Sequence, residues 1–206
     1  MLFDVGANIG NYSLGLIQQF GCSAEVHAFE PLSSTYEMLT DNMQPYGNVF
    51  CHNIGLGSEI KVMPVYTNKA GSGLTSVYKR RLDHFDINMH IKQDCNFSTV
   101  DDFCKSNDIK HIHFLKIDVE GHELAVLQGA KKMMSEDAID FIQFEFGGCN
   151  IDSRTFFQDF WYLLNDKYSI YRITPSGLYP ILQYNELMEI FIFTNYLAEL
   201  KNLKKQ

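Results

Sequence analysis

Short apolar runs that end in polar or acidic residues alternate along this chain with stretches of helical period, the pattern of a mainly parallel sheet flanked by helices. "MLFDV" predicts a first strand, and "NYSLGLIQQF" a helix with Leu14, Ile17 and Phe20 on its buried face. "AEVHAFE" predicts a second strand, "SSTYEMLTDNM" a helix that starts at a Ser cap and ends before Pro45, and "NVFCHNI" a third strand. From about Gly55 to Asn96 the rhythm breaks. "EIKVMPVYT" reads as an added strand, and "NKAGSGLTSVYKRR" is rich in Gly and Ser and basic at its end, which suits a mobile lid. Alternation then resumes: a helix in "STVDDFCKSND" capped by Ser98 or Thr99, the strand "HIHFLKID", the helix "HELAVLQGAKKMM", the strand "IDFIQFEF" and the helix "SRTFFQDFWYLLND". Two strands close the pattern, "YSIYRIT" and "MEIFIFT", separated by the turn-rich "PSGLYP". No repeat or linker interrupts residues 1–206, so one domain with an insertion at about 55–96 is expected.

Composition narrows the class. With 46% hydrophobic residues, 14% of the chain being aromatic, there is ample material for a packed core. Lys and Arg total 17 against 25 Asp and Glu, which argues against a protein that binds nucleic acid or anionic membranes by neutralising phosphates. The five cysteines are scattered and never in a C-x-x-C spacing, so neither a disulfide framework nor a zinc site is indicated. The first twenty residues lack a basic stretch followed by a continuous apolar one, and the expectation is a soluble cytoplasmic protein.

The chemistry collects at the carboxyl ends of the predicted strands, where open α/β sheets bind ligands. Those ends carry Asp4 through Gly10, Glu30, Asn53, Asp118 with Glu120, and Glu145. A dinucleotide fingerprint G-x-G-x-x-G would need glycine at 6, 8 and 11, and the chain has Gly6, Asn8 and Asn11. No Gly-Lys-Ser or Gly-Lys-Thr makes a P-loop either. What remains is a glycine loop with an acid just before it, which repels phosphate and suits a ligand carrying an ammonium group and a ribose.

"DVGANIGNYS", "AFEP", "STVDDF" and above all "FLKIDVEGHELAVLQGA" resemble the FkbM-type methyltransferases, a branch of the S-adenosylmethionine-dependent enzymes, from Leu2 to about Thr194. The resemblance implies a Rossmann-like class I methyltransferase fold, with a seven-stranded, mostly parallel sheet ordered 3-2-1-4-5-7-6, its last strand antiparallel, and helices on both faces. It implies that Asp4 orders the loop, that Gly6, Asn8 and Gly10 carry the backbone close beneath the cofactor, and that Glu30 accepts hydrogen bonds from both ribose hydroxyls. Glu30 before Pro31 also suits a helix cap. Asn53 stands where adenine contacts are usual, or serves as a turn residue before Gly55. Lys116 shares a strand face with Asp118 and suits a buried partner for a carboxylate.

Asp118 falls where methyl donor and acceptor should meet, with Glu145 ending the neighbouring strand. The two carboxylates either act as base and orienter or hold a divalent cation such as magnesium, as in the catechol-type O-methyltransferases, whose "GA-x-x-G-x-YS" loop is similar. His122 is a candidate base or a solvated first-turn residue, and Glu123 complements a helix N-terminus. The histidines elsewhere, His111 and His113 included, lack metal-ligand spacing. The implied reaction is S-adenosylmethionine-dependent O-methylation of a sugar, glycan or small metabolite. A non-catalytic cofactor-binding module is the alternative; a nucleic-acid methyltransferase fits less well, for want of a Pro-Cys or Pro-Pro-Tyr-like motif.

Overall fold

The computed structural model describes residues 1–203. Along the chain run β1 (Leu2–Val5), α1 (Asn11–Phe20), β2 (Val26–Phe29), α2 (Ser33–Met43), β3 (Val49–His52), β4 (Gly55–Leu56), β5 (Lys61–Thr67) and β6 (Ile91–Ser98). They are followed by α3 (Val100–Ser106), β7 (Ile112–Ile117), α4 (Glu123–Gln128), α5 (Lys131–Ser135), β8 (Ile139–Phe146), α6 (Cys149–Ser153), α7 (Phe157–Leu164), β9 (Tyr168–Thr174), β10 (Gly177–Ile181) and β11 (Thr194–Leu200).

The main sheet is ordered β3-β2-β1-β7-β8-β11-β9-β10. β1, β2, β3, β7 and β8 are parallel, and β11 runs antiparallel to both of its neighbours. The sheet therefore has eight strands where seven were expected, and its order departs from the expected one by the extra edge strand β10. Only Pro175 and Ser176 make the turn that "PSGLYP" predicts; Gly177, at φ 121°, starts a strand that folds back on β9. Pro180 fits there because an edge strand has a row of N–H groups that need no partner.

The closing strand also lies further along than "MEIFIFT". Its inward positions are Thr194, Tyr196, Ala198 and Leu200, an alternation that buries every second side chain, whereas Ile190, Ile192 and Phe193 stay exposed. Phe191 breaks the extended run with a left-handed φ of 55° and packs against Phe146. "HELAVLQGAKKMM" forms two short helices because the chain turns at Gly129, where a Cβ would lie 2.0 Å from the carbonyl oxygen of Gly57. Asp101 then accepts from the N–H groups of Lys132 and Met133 and caps α5. In α1 the buried residues are Ser13, Leu16 and Ile17, while Leu14 is half-buried and Phe20 exposed.

Alternation along the strands fills both faces of the sheet. Phe3 and Val5 join Phe29, Leu115, Ile117 and Phe144 beneath α3, α4 and α7, and Leu2 and Val26 pack under α1 against Leu16 and Ile17. The insertion forms its own small sheet, β4-β6-β5. Its own apolar cluster is small, Val65, Cys95 and Phe97 with Met63 and Val77 against them, while Leu56 of β4 joins the main core. In β6 the outward positions are polar, so "IKQDCNFS" offers too little apolar contrast to stand out as a strand.

Candidate active site

The strand order reverses around β1, whose neighbours are β2 on one side and β7 on the other. Connections leave this point in opposite directions, which opens a crevice beyond the carboxyl ends of the strands. The cavity there measures about 380 Å³. Its floor is the loop Val5–Asn8, its walls carry Glu30 on one side and Asp118, Glu120 and His122 on the other, and Gly71–Val77 of the insertion close over it. Of the expected site residues, Gly6, Asn8, Glu30, Asp118 and His122 line this space; Asp4, Gly10, Asn53 and Glu145 do not.

Asp4 is completely buried under the floor, where it accepts from Ser13 Oγ at 2.7 Å and from Lys116 Nζ at 2.9 Å. Lys116 lies 3.5 Å from Asp118 and 4.8 Å from the centre of the Tyr12 ring, and Tyr12 donates to Gln143. Burial works against the ammonium charge, but Asp4 and Asp118 outweigh it and raise the lysine's pKa. This row of polar groups joins β1, β7 and β8 under α1. Lys116 is thus the carboxylate partner that its residue type suggests.

The glycines serve a tighter purpose than room for a ligand. Gly6 has φ 79°, and a Cβ there would lie 1.9 Å from the main-chain oxygen of Asp118. Gly10 has φ 91°, and its Cβ would meet Met43 and Leu39 of α2 at 2.8 and 2.9 Å. The loop is glycine-bearing because the end of β7 and the side of α2 press on it. Asn53 is exposed and donates to the carbonyls of Glu30 and Pro31 at 2.9 and 3.0 Å, which is the turn role.

Glu30 is buried, with Oε1 accepting from Leu32 N at 2.9 Å and Oε2 from Asn8 N at 3.2 Å. The N-cap of α2 is Leu32 rather than a serine, with no side-chain cap bond, and Glu30 instead fixes the chain entering the helix; each of its oxygens keeps a lone pair. Burial pushes its pKa up to about 7, against the lowering effect of the two backbone bonds. Asn8, at φ 51°, donates through Nδ2 to the carbonyl of Ser72 at 3.0 Å and leaves a buried Oδ1 with no partner beside the cavity.

On the opposite wall, one carboxylate oxygen from each of Asp118, Glu120 and Glu145 lies within 4.8 Å of the others. Burial, then the charges of Asp118, Glu120 and Glu123, hold Glu145 well above the usual carboxylate range. Glu120, at φ 54°, is raised to about 7 by burial, while an ion pair with Arg80 opposes the shift. Arg80 also faces Asp152 at 3.7 Å. Glu123 accepts from Val119 N and Gly121 N at 3.0–3.1 Å, so it fastens the loop that carries Asp118 and Glu120. His122 is buried rather than solvated: Nδ1 meets the Tyr78 hydroxyl at 3.3 Å, and Nε2 has no hydrogen-bond partner and packs against Gly57, where a Cβ would lie 2.9 Å away. Burial lowers its pKa to about 4, keeping the ring neutral.

Ser72, Ser76, Tyr78 and Arg80 are site residues that the sequence does not single out, and Glu120, placed with Asp118 at a strand end, receives no role from it. The first four come from the insertion and reach the strand ends only through long-range contacts such as Ser76 Oγ to the carbonyl of Glu120 at 2.7 Å. Glu120 had a usable signal, since it stands two residues after Asp118 in a strand-end loop.

A mainly parallel sheet with a ligand crevice at the reversal of strand order, floored by a glycine loop and flanked by strand-end carboxylates, defines an α/β protein of the methyltransferase type. A family model for the methyltransferase FkbM domain matches residues 4–170, and the chain belongs to that family. It is 33% identical over 135 residues to the hexuronic acid methyltransferase AglP of Haloferax volcanii, covering 63% of this chain and 49% of that protein. It is 29% identical over 143 residues to methyltransferase 1 of Beauveria bassiana, covering 62% and 57%. The chain spans about half the length of these curated relatives. The crystal structure of the methyltransferase FkbM from Methylobacillus flagellatus KT superposes with a TM-score of 0.60 at 21% identity, over 96% of this chain and 42% of that one, a likeness of fold.

Proposed function

We propose that the chain uses S-adenosylmethionine to methylate a hydroxyl group of a sugar, an acidic sugar being the first candidate. The observation that carries the reading is the placement of Glu30 and Asp118 on opposite walls of one cavity, with the glycine loop between them. The residues fit the cofactor. Glu30 keeps lone pairs for ribose hydroxyls, the unpartnered Oδ1 of Asn8 awaits a donor, and the volume suits a small-molecule ligand. The name of the Haloferax volcanii relative supports a sugar acid as acceptor.

When bound, S-adenosylmethionine supplies a methyl group on a sulfonium sulfur. Glu30 binds the ribose, and Lys116 with Asp4 holds Asp118 at the end of β7. Asp118 orients the acceptor hydroxyl, and the carboxylate group it forms with Glu120 and Glu145 receives the proton. A carboxyl near pKa 7, as Glu120 is, suits a general base at neutral pH. Neither nitrogen of His122 hydrogen-bonds any of these three carboxylates, so His122 serves as a wall of the cavity.

A second reading is favoured by the same cluster. Three carboxylates within 4.8 Å offer an all-oxygen donor set that fits magnesium. Asp118, Glu120 and Glu145 would hold the ion, and it would lower the pKa of a bound hydroxyl. Incubation with methyl-labelled S-adenosylmethionine and a panel of uronic acids and neutral sugars, with and without a chelator, tests both readings. Label in a sugar fraction is expected. Its retention in chelator would remove the metal, and no transfer to any hydroxyl acceptor would count against the function.

A further inference from the structure

The starts of β7 and β8, at the end of the sheet away from the crevice, gather a second set of ligating side chains. His111 and His113 are two residues apart as the chain enters β7, and strand alternation sends them to the same face. Ile112 pairs with Ile139, both buried, so the next position along each strand sets His113 opposite Asp140. His111 Nε2 lies 2.9 Å from Asp140 Oδ1, the two imidazole rings are 4.9 Å apart between centroids, and one ligating atom from each of the three residues lies within 4.8 Å of the others.

We propose that His111, His113 and Asp140 bind a divalent transition-metal ion of the zinc type, which fastens β7 to β8. Two imidazoles and a carboxylate are a borderline donor set of the kind zinc takes, with one position left for water. Three atoms at most 4.8 Å apart are all within about 2.8 Å of a common centre, and zinc bonds of about 2.0–2.2 Å are reached by small side-chain rotations. The ligands stand on two adjacent strands, and His113 is exposed, which gives an ion access. Spacing along the sequence conceals the set because its third member comes from the neighbouring strand. The simpler account is an ion pair of His111 with Asp140 and a separate contact of His113 Nδ1 with the main-chain nitrogen of Met1 at 3.2 Å. That account explains each contact singly and predicts no metal affinity. Asp118 lies seven residues beyond His111, roughly 23 Å at strand spacing, so the ion has no part in methyl transfer.

The full chain, stripped with chelator, should be titrated with zinc and, for its visible spectrum, with cobalt. Wild type is expected to bind one zinc at this site with micromolar or tighter affinity and to unfold at a higher temperature when saturated. His113→Ala, an exposed substitution whose fold circular dichroism can verify, should weaken that binding at least tenfold and abolish the thermal shift, and Asp140→Asn should weaken it too. Asp118→Asn should leave both intact. Zinc affinity unchanged by His113→Ala, loss of binding in Asp118→Asn alone, or no zinc binding by wild type would each overturn the proposal.

Discussion

Glu30 is a buried carboxylate that both ties the fold together and lines the cavity. Its two backbone bonds tie the loop after β1 to the start of α2. Glu30→Ala should weaken S-adenosylhomocysteine by about 1.5–3 kcal/mol, the range for a hydrogen bond to a charged group, and calorimetry reads it directly. An unchanged affinity would leave its two backbone bonds as its whole role. Because burial lifts its pKa from 4.5 to about 7, the folded protein keeps a proton that the unfolded chain has lost between those values. That contribution to stability is complete below pH 4.5 and disappears as the pH rises through 7. Ribose hydroxyls favour the ionised form, so cofactor binding near pH 6 should release a proton. Titrations in buffers of different ionisation enthalpy should show that release for wild type and not for Glu30→Gln; equal release in both would place the proton elsewhere. Asp118→Asn should lower kcat by roughly 10²–10⁴-fold with a smaller change in cofactor affinity, the mark of a group that acts on the acceptor. A loss confined to cofactor binding would move Asp118 out of the chemistry.

At the level of elements, the insertion decides how the cavity is closed. Asn8 holds Ser72, Thr35 Oγ1 accepts from Gly71 N at 3.1 Å, Ser76 holds the loop after β7, and Gln93 donates to Ser33 Oγ at 2.8 Å. All four bonds cross between the insertion and the glycine loop, α2 or the Asp118 loop. Few buried apolar contacts back them, so local opening should cost far less than global unfolding. Amide exchange across residues 70–81 should therefore be fast in the free protein and slow with S-adenosylhomocysteine; full protection in the free protein would rule out a lid. The same elements mark the limit of what the sequence reveals. α1, α2 and β8 begin and end where the pattern puts them, because each couples an apolar stripe to a sharp break in composition. β6 and β10 escape notice because one is polar on its outer face and the other lies at the sheet edge, mostly exposed. "MEIFIFT" misleads because its apolar residues are outside the sheet.

Across the whole molecule, the reversal of strand order at β1 and β7 brings residues from positions 4, 30, 118 and 145 to one end of the sheet. The quoted motifs make that convergence legible, since each marks a strand end. The partners that tune it are not legible: Arg80 beside Glu120, Tyr78 beside His122 and Glu123 on the loop amides depend on contacts that no local pattern encodes. No helix among the described residues is long and apolar enough to cross a membrane. The central claim is that this crevice is built for a sulfonium nucleoside and not for a dinucleotide. Isothermal titration of the purified chain with S-adenosylhomocysteine, and separately with NAD, tests it most directly. One-to-one binding of S-adenosylhomocysteine with no response to NAD is the predicted result; heat from NAD alone would contradict it.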